Sequence, residues 1–357
     1  MKNDKMTGAI LPGDSTVKFK DFEIPKPGFG QVLIQTMAST ICGSDIRAIY
    51  REHTGKGAEG YIDGMIAGHE PCGVIVEEGE GLKLFKKGDR VIVYHISGCG
   101  VCHDCRMGYQ ISCSSPHRAA YGWQRNGGMA PYMLCEEKDL VLLPDELSYC
   151  DGAQVACGFG TVYEALEKIS VSGNDVLLVV GLGPVGLAAL MVAKAMGANM
   201  LIGVETVTER IDLAKELGIV DYVFKPGDDT LNEILNLTGE KGVEKAVDCS
   251  GNEAGRTLAI RATRSWGKIA FVGEGGTTHF YPSPDIIHGQ KTIYGSWVTS
   301  LWRMEELVER IVRWGIHPED LITHRFKLED ADKAYALMAD GHCGKIAVVF
   351  DGTEKCR

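Results

Sequence analysis

The chain has 357 residues, of which 45% are hydrophobic and 24% are charged, and this ordinary globular composition excludes a disordered, collagenous or coiled-coil protein. At roughly 150 residues per domain, the length predicts two domains, each large enough for its own core. The formal net charge of −11 disfavours binding to nucleic acid or to anionic membranes, so we expect neither as a partner.

The amino-terminal segment, residues 1–8, carries Lys2 and Lys5 but is not followed by an apolar run, so we expect no secretory signal and a cytoplasmic location. One uncharged stretch, residues 176–193, has the length of a membrane span. Glycines and a proline interrupt it at its middle, which favours a strand, a tight turn and a helix instead.

The first half of the chain is predicted to be mainly β, with short apolar runs between turn residues at 32–35, 73–77, 90–94 and 140–143. From about residue 161 strands alternate with helices, which predicts a parallel sheet covered on both faces. The predicted strands are 176–180, 200–204, 222–224, 245–248 and 268–272, and the helices between them are 187–196, 208–217 and 230–237. Helices at 304–314 and 330–339 and a strand at 345–350 could return to either domain. The expected class is α/β.

A glycine-rich turn follows the first strand of the second half and precedes an apolar helix, with the sequence Gly181-Leu182-Gly183-Pro184-Val185-Gly186. In this strand-turn-helix context the G-x-G-x-x-G pattern indicates a dinucleotide-binding Rossmann fold. Gly181 permits the sharp turn, Gly183 lets a pyrophosphate approach the helix amides, and Gly186 allows close packing against the strand. The alternative is a glycine-rich turn that binds no nucleotide.

An acidic residue, Glu205, ends the next strand, 19 residues after Gly186. A carboxylate there can bind the adenine-ribose hydroxyls and repels a 2′-phosphate, so NAD is favoured over NADP. Arg210 weakens this preference, or contacts the ribose itself.

Four of the 12 cysteines form a cluster with the spacing C-x2-C-x2-C-x7-C, comprising Cys99, Cys102, Cys105 and Cys113. Four thiolates at this spacing can enclose one Zn²⁺ tetrahedrally and leave no open coordination position, which predicts a structural zinc. The alternative is a loop of reduced, metal-free cysteines. His103 lies inside the loop and is expected at the surface.

Three further segments offer zinc ligands in separate parts of the chain. Cys42 is followed by Ser44 and Arg47, His69 by Glu70, and Cys157 lies where the β-rich half gives way to the nucleotide fold. A lone cysteine or histidine is more often a packed core residue than a ligand. The combination of the three segments therefore carries the prediction of a second metal site.

These motifs together resemble the zinc-dependent medium-chain alcohol and polyol dehydrogenase family along nearly the whole chain. The motifs that carry the resemblance are Cys42-Gly-Ser-Asp, Gly68-His-Glu-Pro-Cys-Gly, Lys87-Gly-Asp-Arg-Val, the four-cysteine segment, Cys157-Gly-Phe-Gly-Thr, Gly181-Leu-Gly-Pro-Val-Gly and Gly341-His-Cys-Gly-Lys. The resemblance implies a GroES-like, mainly-β catalytic domain at 1–158 and 298–357, with a Rossmann cofactor domain at 159–297. It also implies a homodimer or homotetramer.

The resemblance further implies roles for single residues. Catalytic zinc would be held by Cys42, His69 and Cys157, with Glu70 as a nearby or transient fourth ligand. Ser44 would hydrogen-bond the substrate hydroxyl and accept its proton, and Asp45 is expected to support a zinc ligand. The nicotinamide would lie beside Thr161 and Val272.

Two departures from the family pattern limit what the resemblance implies. Many relatives have a proton-relay histidine where this chain has Arg47, and arginine cannot act as a base. The proton would leave through the ribose hydroxyl, water or His53, and Arg47 would instead hold an anionic group of the cofactor or of an acidic substrate, or serve a structural role. Polyol-oxidising relatives commonly have glutamate in place of Cys157. A polar pocket could still form from Ser44, Arg47, Tyr121, Trp123 and Gln124, unless Tyr121 and Trp123 pack in the core.

The expected function is zinc-dependent hydride transfer between NAD and the secondary alcohol of a small-molecule polyol or sugar derivative. The alternatives within the family are a simple alcohol, an amino alcohol of the threonine type or an acidic sugar. Two remote alternatives are a zinc hydrolase, in which Glu70 activates water, and a non-catalytic nucleotide-binding scaffold.

Overall fold

The computed structural model describes residues 4–54 and 60–350. Cys356 and the first three residues of the segment tested for a secretory signal lie outside the described residues. Within the described part of the chain, no helix combines the length and apolar character that crossing a membrane requires.

The strands are β1 (Lys5–Ile10), β2 (Lys18–Glu23), β3 (Gln31–Ile41), β4 (Glu70–Glu78), β5 (Arg90–Val93), β6 (Ile96–Ser97), β7 (Ala119–Ala120), β8 (Tyr132–Glu136), β9 (Leu140–Leu142), β10 (Val176–Val180), β11 (Met200–Val204), β12 (Tyr222–Phe224), β13 (Val243–Asp248), β14 (Thr263–Phe271), β15 (Thr292–Gly295), β16 (Ile322–Phe326) and β17 (Lys345–Val349). The α-helices are α1 (Gly43–Asp45), α2 (His103–Arg106), α3 (Tyr149–Gln154), α4 (Gly160–Ile169), α5 (Pro184–Ala195), α6 (Thr208–Glu216), α7 (Thr230–Leu237), α8 (Glu253–Ala262), α9 (Leu301–Trp314) and α10 (Ala331–Asp340). Wider π-helical turns follow α1 and α3, at Ile46–Tyr50 and Val155–Phe159.

The chain divides into two compact units, the first formed by Met1–Gly160 with Thr299–Arg357 and the second by Thr161–Val298. The assignment of these units as catalytic and cofactor domains stays a prediction.

The first unit is built on a mainly antiparallel sheet in the order β16-β17-β3-β4-β5-β9, with β8 also paired to β3. The long strand β3 pairs with β4 along one edge and with β17 and β8 along the other, which places it at the centre of the sheet. Strand β17 therefore belongs to the first unit, so the last part of the chain returns to the mainly-β sheet and not to the parallel sheet. Ile34, Ile75 and Val91 of these strands are almost fully buried in one core cluster.

The second unit is a parallel sheet in the order β12-β11-β10-β13-β14-β15. Numbered from its first strand, this order is 3-2-1-4-5-6, the arrangement of dinucleotide-binding Rossmann folds. Its central strand β10 is buried because both faces of the sheet are covered, so Leu177, Leu178 and Val179 are 0% exposed. The predicted α/β class, with a mainly-β part and a Rossmann sheet, is confirmed.

Several predicted elements differ from the structure in their bounds. Strand β3 runs to Ile41 rather than ending at residue 35, and α5 begins at Pro184, whose fixed φ suits the first turn of a helix. Helix α8 and the strands β1, β2, β8, β15 and β16 were not predicted from the sequence. Tyr121 is 0% exposed and donates its hydroxyl to Asp139, so of the two alternatives for this residue, packing in the core holds and lining a polar pocket does not.

Candidate active site

Four metal-binding side chains from separate segments converge in the first unit. The ligand atoms offered by Cys42, His69, Glu70 and Cys157 all lie within 4.8 Å of one another. The sulfurs of Cys42 and Cys157 are 3.9 Å apart. Cys42, His69 and Glu70 are buried and Cys157 is half-buried, so the cluster lies at the boundary between the core and solvent.

Strand register explains why residues so distant in sequence meet. Thr40 of β3 pairs with Glu70, the first residue of β4, so Cys42 and His69 lie just past the same pair. Strand β17 pairs Ile346 with Ile41 on the other side of β3, and this brings Lys345 to the same place. Cys157 arrives separately, on the π-helical turn that extends α3.

The imidazole of His69 is oriented by Asp45, which is 0% exposed. Nδ1 of His69 lies 2.8 Å from Oδ1 of Asp45, and Oδ2 of Asp45 accepts the N–H of Cys42 at 2.9 Å. With Nδ1 donating to a carboxylate, Nε2 is the nitrogen available to a metal. The placement of Asp45 is consistent with the supporting role expected from the sequence.

Without a cation, the electrostatics of the cluster favour a thiolate at Cys42, a neutral thiol at Cys157 and a protonated ring at His69. A hydrogen bond from the Cys157 thiol lowers the pKa of Cys42 well below its usual value, and the same contact together with burial raises the pKa of Cys157. Burial opposes a charge on His69, but the Asp45 carboxylate outweighs burial and raises the pKa of the ring. A cation bound at this cluster would stabilise both thiols as thiolates.

Among the described residues, only one of the two Glu70 carboxylate oxygens accepts hydrogen bonds. Its Oε2 accepts hydrogen bonds from Thr40 Oγ1 and Lys345 Nζ, each at 2.5 Å. Its Oε1 is buried and has no hydrogen-bond partner among the described residues. Burial raises the pKa of Glu70, while burial of Lys345 is outweighed by the nearby Glu70 charge, which raises the lysine's pKa.

The donor set fits zinc. Two sulfurs, one imidazole nitrogen and a carboxylate oxygen are ligands that Zn²⁺ accepts, and the unpartnered Oε1 of Glu70 is the kind of buried atom that a cation would satisfy. The roles of Cys42, His69, Glu70 and Cys157 as ligands stay a prediction that this geometry supports.

Ser44 and Arg47 follow Cys42 on the same short helical segment. Ser44 is half-buried in α1, whereas Arg47 is exposed in the turn that extends it. His53, considered as an exit for the proton, has its Nε2 2.9 Å from the carbonyl of Leu11 and its ring 4.7 Å from that of Tyr61. That nitrogen is engaged with the main chain.

His95 was missed in the sequence because nothing in its neighbourhood resembles a ligand motif. It is 6% exposed, and its ring centroid lies 5.1 Å from that of His69. Nδ1 lies 2.9 Å from the carbonyl of Ala156, the residue before Cys157, so Nδ1 carries the proton and Nε2 has the lone pair. Burial lowers the pKa of His95 to about 3, so the ring is neutral.

The four-cysteine segment forms a second convergent group, with Cys99, Cys102, Cys105 and Cys113 within 4.8 Å of one another. The N–H of Cys102 donates to the sulfur of Cys99 at 3.3 Å, and main-chain N–H groups lower the pKa of Cys99 to about 6. The side chain of His103 is 82% exposed and lies outside this group of ligands. Four sulfurs fit a closed, structural zinc site.

The glycine-rich turn of the second unit has the geometry expected of a phosphate-binding turn. Gly181 has φ +87°, and a Cβ on Gly186 would lie 1.9 Å from the carbonyl oxygen of Gly181. A Cβ on Gly183 would meet no protein atom closer than 3.6 Å, so the chain leaves this side of the turn open. Leu182 between them is fully buried, and Val185 lies in the first turn of α5.

Glu205 is fixed beside the glycine-rich turn. Its Oε2 accepts the N–H of Leu182 at 2.7 Å, and Nη1 of Arg210 lies 3.8 Å from the same oxygen. Thr161 is buried in the first turn of α4, and Val272 follows β14 with its N–H donated to the carbonyl of Asp248. The cofactor contacts of these residues stay predictions.

Family models match both units. The description "Alcohol dehydrogenase GroES-like domain" matches residues 28–145, and "Zinc-binding dehydrogenase" matches residues 184–313. An uncharacterized zinc-type alcohol dehydrogenase-like protein, YphC of Escherichia coli K12, is 51% identical over 348 residues, covering 97% of this chain and 99% of YphC.

More distant relatives have named activities. An L-threonine 3-dehydrogenase of Pyrococcus horikoshii is 31% identical, covering 92% of this chain and 94% of the relative. The crystal structure of 2R,3R-butanediol dehydrogenase from Bacillus subtilis matches with a TM-score of 0.84 at 27% identity, covering 97% of this chain and all of that one. The chain therefore belongs to the zinc-dependent alcohol dehydrogenase family, whose members are NAD(P)-linked zinc oxidoreductases of alcohols and polyols.

Proposed function

We propose that the chain oxidises the secondary alcohol group of a polyol or sugar derivative with NAD⁺, using one catalytic zinc. The observation that carries the proposal is the convergence of Cys42, His69, Glu70 and Cys157 within 4.8 Å. Because only two sulfurs and one imidazole are permanent ligands in this proposal, one coordination position stays open for substrate, as catalytic zinc sites require.

Zinc, NAD⁺ and the protein each supply a different part of the proposed reaction. Zinc, when bound, stabilises negative charge on the substrate oxygen, and the nicotinamide accepts the hydride. Ser44 Oγ orients the substrate hydroxyl and takes its proton, which it passes to water or to the ribose hydroxyl. Asp45 holds His69 in one tautomer, and Lys345 holds one oxygen of Glu70 while leaving the other available.

His95 supports a substrate with more than one polar group. Its neutral ring lies against His69 and presents an acceptor nitrogen, Nε2. An acceptor there suits a neighbouring hydroxyl, as in a vicinal diol, or an ammonium group, as in an amino alcohol. The likeness to L-threonine 3-dehydrogenase makes an amino alcohol the second candidate.

Glu205 supports NAD as the preferred cofactor because its carboxylate lies at the turn where a 2′-phosphate would have to bind. Arg210, 3.8 Å from that carboxylate, reduces this repulsion and predicts a preference rather than exclusion of NADP.

A substrate panel tests this proposal. Simple alcohols, vicinal diols, polyols, L-threonine, sugar acids and sugar phosphates are each incubated with NAD⁺ or NADP⁺, and the absorbance of the reduced cofactor is followed. Vicinal diols and polyols with NAD⁺ should react fastest. A Ser44→Ala variant should lose turnover but still bind NADH. Ester or amide cleavage without a reduced-cofactor signal would favour a hydrolase, and NADH binding without turnover of any compound would favour a scaffold.

The acidic-substrate alternative depends on Arg47. An Arg47→His variant that loses activity selectively on anionic compounds would support recognition of substrate, whereas uniform loss would indicate a role with the cofactor.

We also propose that the protein is a homodimer or homotetramer in a reducing compartment such as the cytosol. Strand β15 is an edge of the parallel sheet, and the segment before it exposes Tyr281 at 71% and Ile287 at 61%. An unpaired edge beside exposed apolar side chains suits self-association. Light scattering on the wild type and on Tyr281→Lys tests this, because a monomer in both contradicts the proposal.

A further inference from the structure

A buried ion pair lies in the second unit at the end of the fourth strand of the Rossmann order. Asp248 is the last residue of β13 and is 0% exposed. Arg256 of α8 places Nε 3.3 Å from Oδ2 of Asp248, and its side chain is 11% exposed. No motif in the sequence pointed to either residue, and the proposed reaction does not use them.

The Asp248 carboxylate sets the path of the loop that follows β13. Oδ1 accepts the N–H of Ser250 at 3.1 Å and its hydroxyl at 2.5 Å, while Oδ2 accepts the N–H of Gly251 at 3.2 Å. Ser250 in turn lies against the first glycine of the phosphate-binding turn, since a Cβ on Gly181 would be 2.8 Å from the Ser250 Cα. Ser250 thus links the Asp248 carboxylate to the glycine-rich turn.

Arg256 holds the loop that follows the neighbouring strand β14. Its Nη2 donates to the carbonyl of Gly273 at 2.6 Å and its Nη1 to the carbonyl of Thr277 at 3.3 Å. The main-chain carbonyl of Asp248 accepts the N–H groups of Val272 and Gly273, both at 2.9 Å. The planar guanidinium thus donates to three acceptors, the Asp248 carboxylate and the carbonyls of Gly273 and Thr277. A single ammonium group could not reach all three.

Both loops lie at the carboxyl edge of the parallel sheet, which is where Rossmann folds bind their ligands. A buried ion pair often stabilises a fold no more than an apolar pair of similar volume does, so we assign the contribution of Asp248 and Arg256 to the loop conformations that their hydrogen bonds specify. The loop that they fix begins at Val272, which the family resemblance places beside the nicotinamide.

We propose that Arg256, anchored by Asp248, is a positioning residue for NAD that holds residues 272–277 in the conformation required by the nicotinamide half of the cofactor. This inference rests on the proposed NAD-linked function. The inference assigns Arg256 to the nicotinamide half of NAD alone, because Glu205 and the glycine-rich turn are the proposed contacts of the adenosine and pyrophosphate groups.

The test compares NADH with ADP-ribose, which lacks the nicotinamide. In an Arg256→Met variant of the full chain, the Kd for NADH should rise about tenfold or more, whereas the Kd for ADP-ribose should change less than about twofold. KM for NAD⁺ should rise with the Kd of NADH, and KM for the alcohol should stay the same. Arg256→Lys should weaken NADH binding less, because one ammonium replaces only part of the fork.

Arg264→Leu is the matched control. Arg264 also pairs with a carboxylate, that of Glu244 at 2.6 Å, but this pair is more exposed than Asp248–Arg256 and lies at the amino ends of β13 and β14. Its loss should leave the affinities for both ligands unchanged and should lower the unfolding temperature less than loss of Arg256 does, because an exposed ion pair contributes little to stability.

Each outcome decides the inference. Selective weakening of NADH supports it, while equal weakening of NADH and ADP-ribose, or no weakening in a folded variant, overturns it. Should Arg256→Met fail to fold, wild-type affinity for NADH in both Arg256→Lys and Asp248→Asn would overturn it as well. A wild-type chain that binds no NADH would contradict the proposed function and this inference together. A wild-type chain that binds NADH no more tightly than its Arg256 variants would contradict this inference alone.

Discussion

Two glycines of the phosphate-binding turn should respond oppositely to the addition of one methyl group. At Gly183 the backbone angles are φ −61° and ψ −179°, which alanine adopts without strain, and the nearest atom to an added Cβ is 3.6 Å away. At Gly186 the added Cβ would lie 1.9 Å from the carbonyl oxygen of Gly181. The first substitution tests ligand binding and the second tests folding.

The expected magnitudes follow from these distances. Alanine at position 183 gains about 0.4–1 kcal/mol by restricting the unfolded chain and loses about 0.5–1 kcal/mol as a poorer helix N-cap, so the free energy of unfolding should change by less than about 1 kcal/mol. Gly186→Ala forces a backbone shift of more than about 1 Å to restore ordinary contact, and should cost about 3 kcal/mol or more.

Urea unfolding gives the stabilities, and the fluorescence of bound NADH gives the affinities. Gly183→Ala should fold like the wild type yet bind NADH at least about tenfold more weakly, because its methyl group would occupy the open face that the pyrophosphate approaches. Wild-type affinity for NADH in Gly183→Ala would refute the assignment of this turn to the cofactor. Wild-type stability in Gly186→Ala would refute the packing argument.

Three further predictions concern the zinc cluster. Lys345→Met should lower the free energy of unfolding by about 3 kcal/mol because it leaves the buried Glu70 carboxylate without its cation. In a double-mutant cycle with Glu70→Gln, additive effects in urea unfolding would contradict that pairing. Asp45→Asn should weaken zinc binding about 10–100-fold through the orientation of His69, measured by chelator competition, and an unchanged affinity would count against it. His95→Phe should raise KM for a vicinal diol much more than for a simple secondary alcohol, and an equal change in both would remove His95 from substrate recognition.

Much of the parallel sheet was predictable because its central strands β10 and β11 are buried and read as continuous apolar runs, whereas the partly exposed edge strand β15 was missed. Strands β10, β11 and β12 and helix α7 have the predicted bounds. Helix α8 was missed because Gly255 and Arg256 interrupt its apolar pattern, although Asn252 caps it by accepting the N–H of Ala254. Pairing with β4 and β17, rather than local sequence, extends β3 to Ile41.

At the candidate site, local motifs indicated the candidate ligands and the supporting residue Asp45, but not Lys345 or His95. Cys42, His69 and Cys157 stand in short motifs, so their residue types could be recognised in sequence. Lys345 reaches Glu70 from 275 positions away because β17 returns beside β3. His95 and the Asp248–Arg256 pair depend in the same way on tertiary contacts that no spacing rule describes.

The central claim is that two sulfurs and one imidazole hold a zinc with an open position. Anomalous diffraction at the zinc edge on crystals of the zinc-loaded protein tests it most directly. The expected result is two peaks per chain, one among the four clustered cysteines and one about 2.3 Å from the sulfurs of Cys42 and Cys157 and about 2.0 Å from Nε2 of His69. In Cys157→Ser the second peak should be lost while the first remains, and Cys135→Ser, at a buried core cysteine, should keep both. A single peak at the four-cysteine segment of the wild type would contradict the claim.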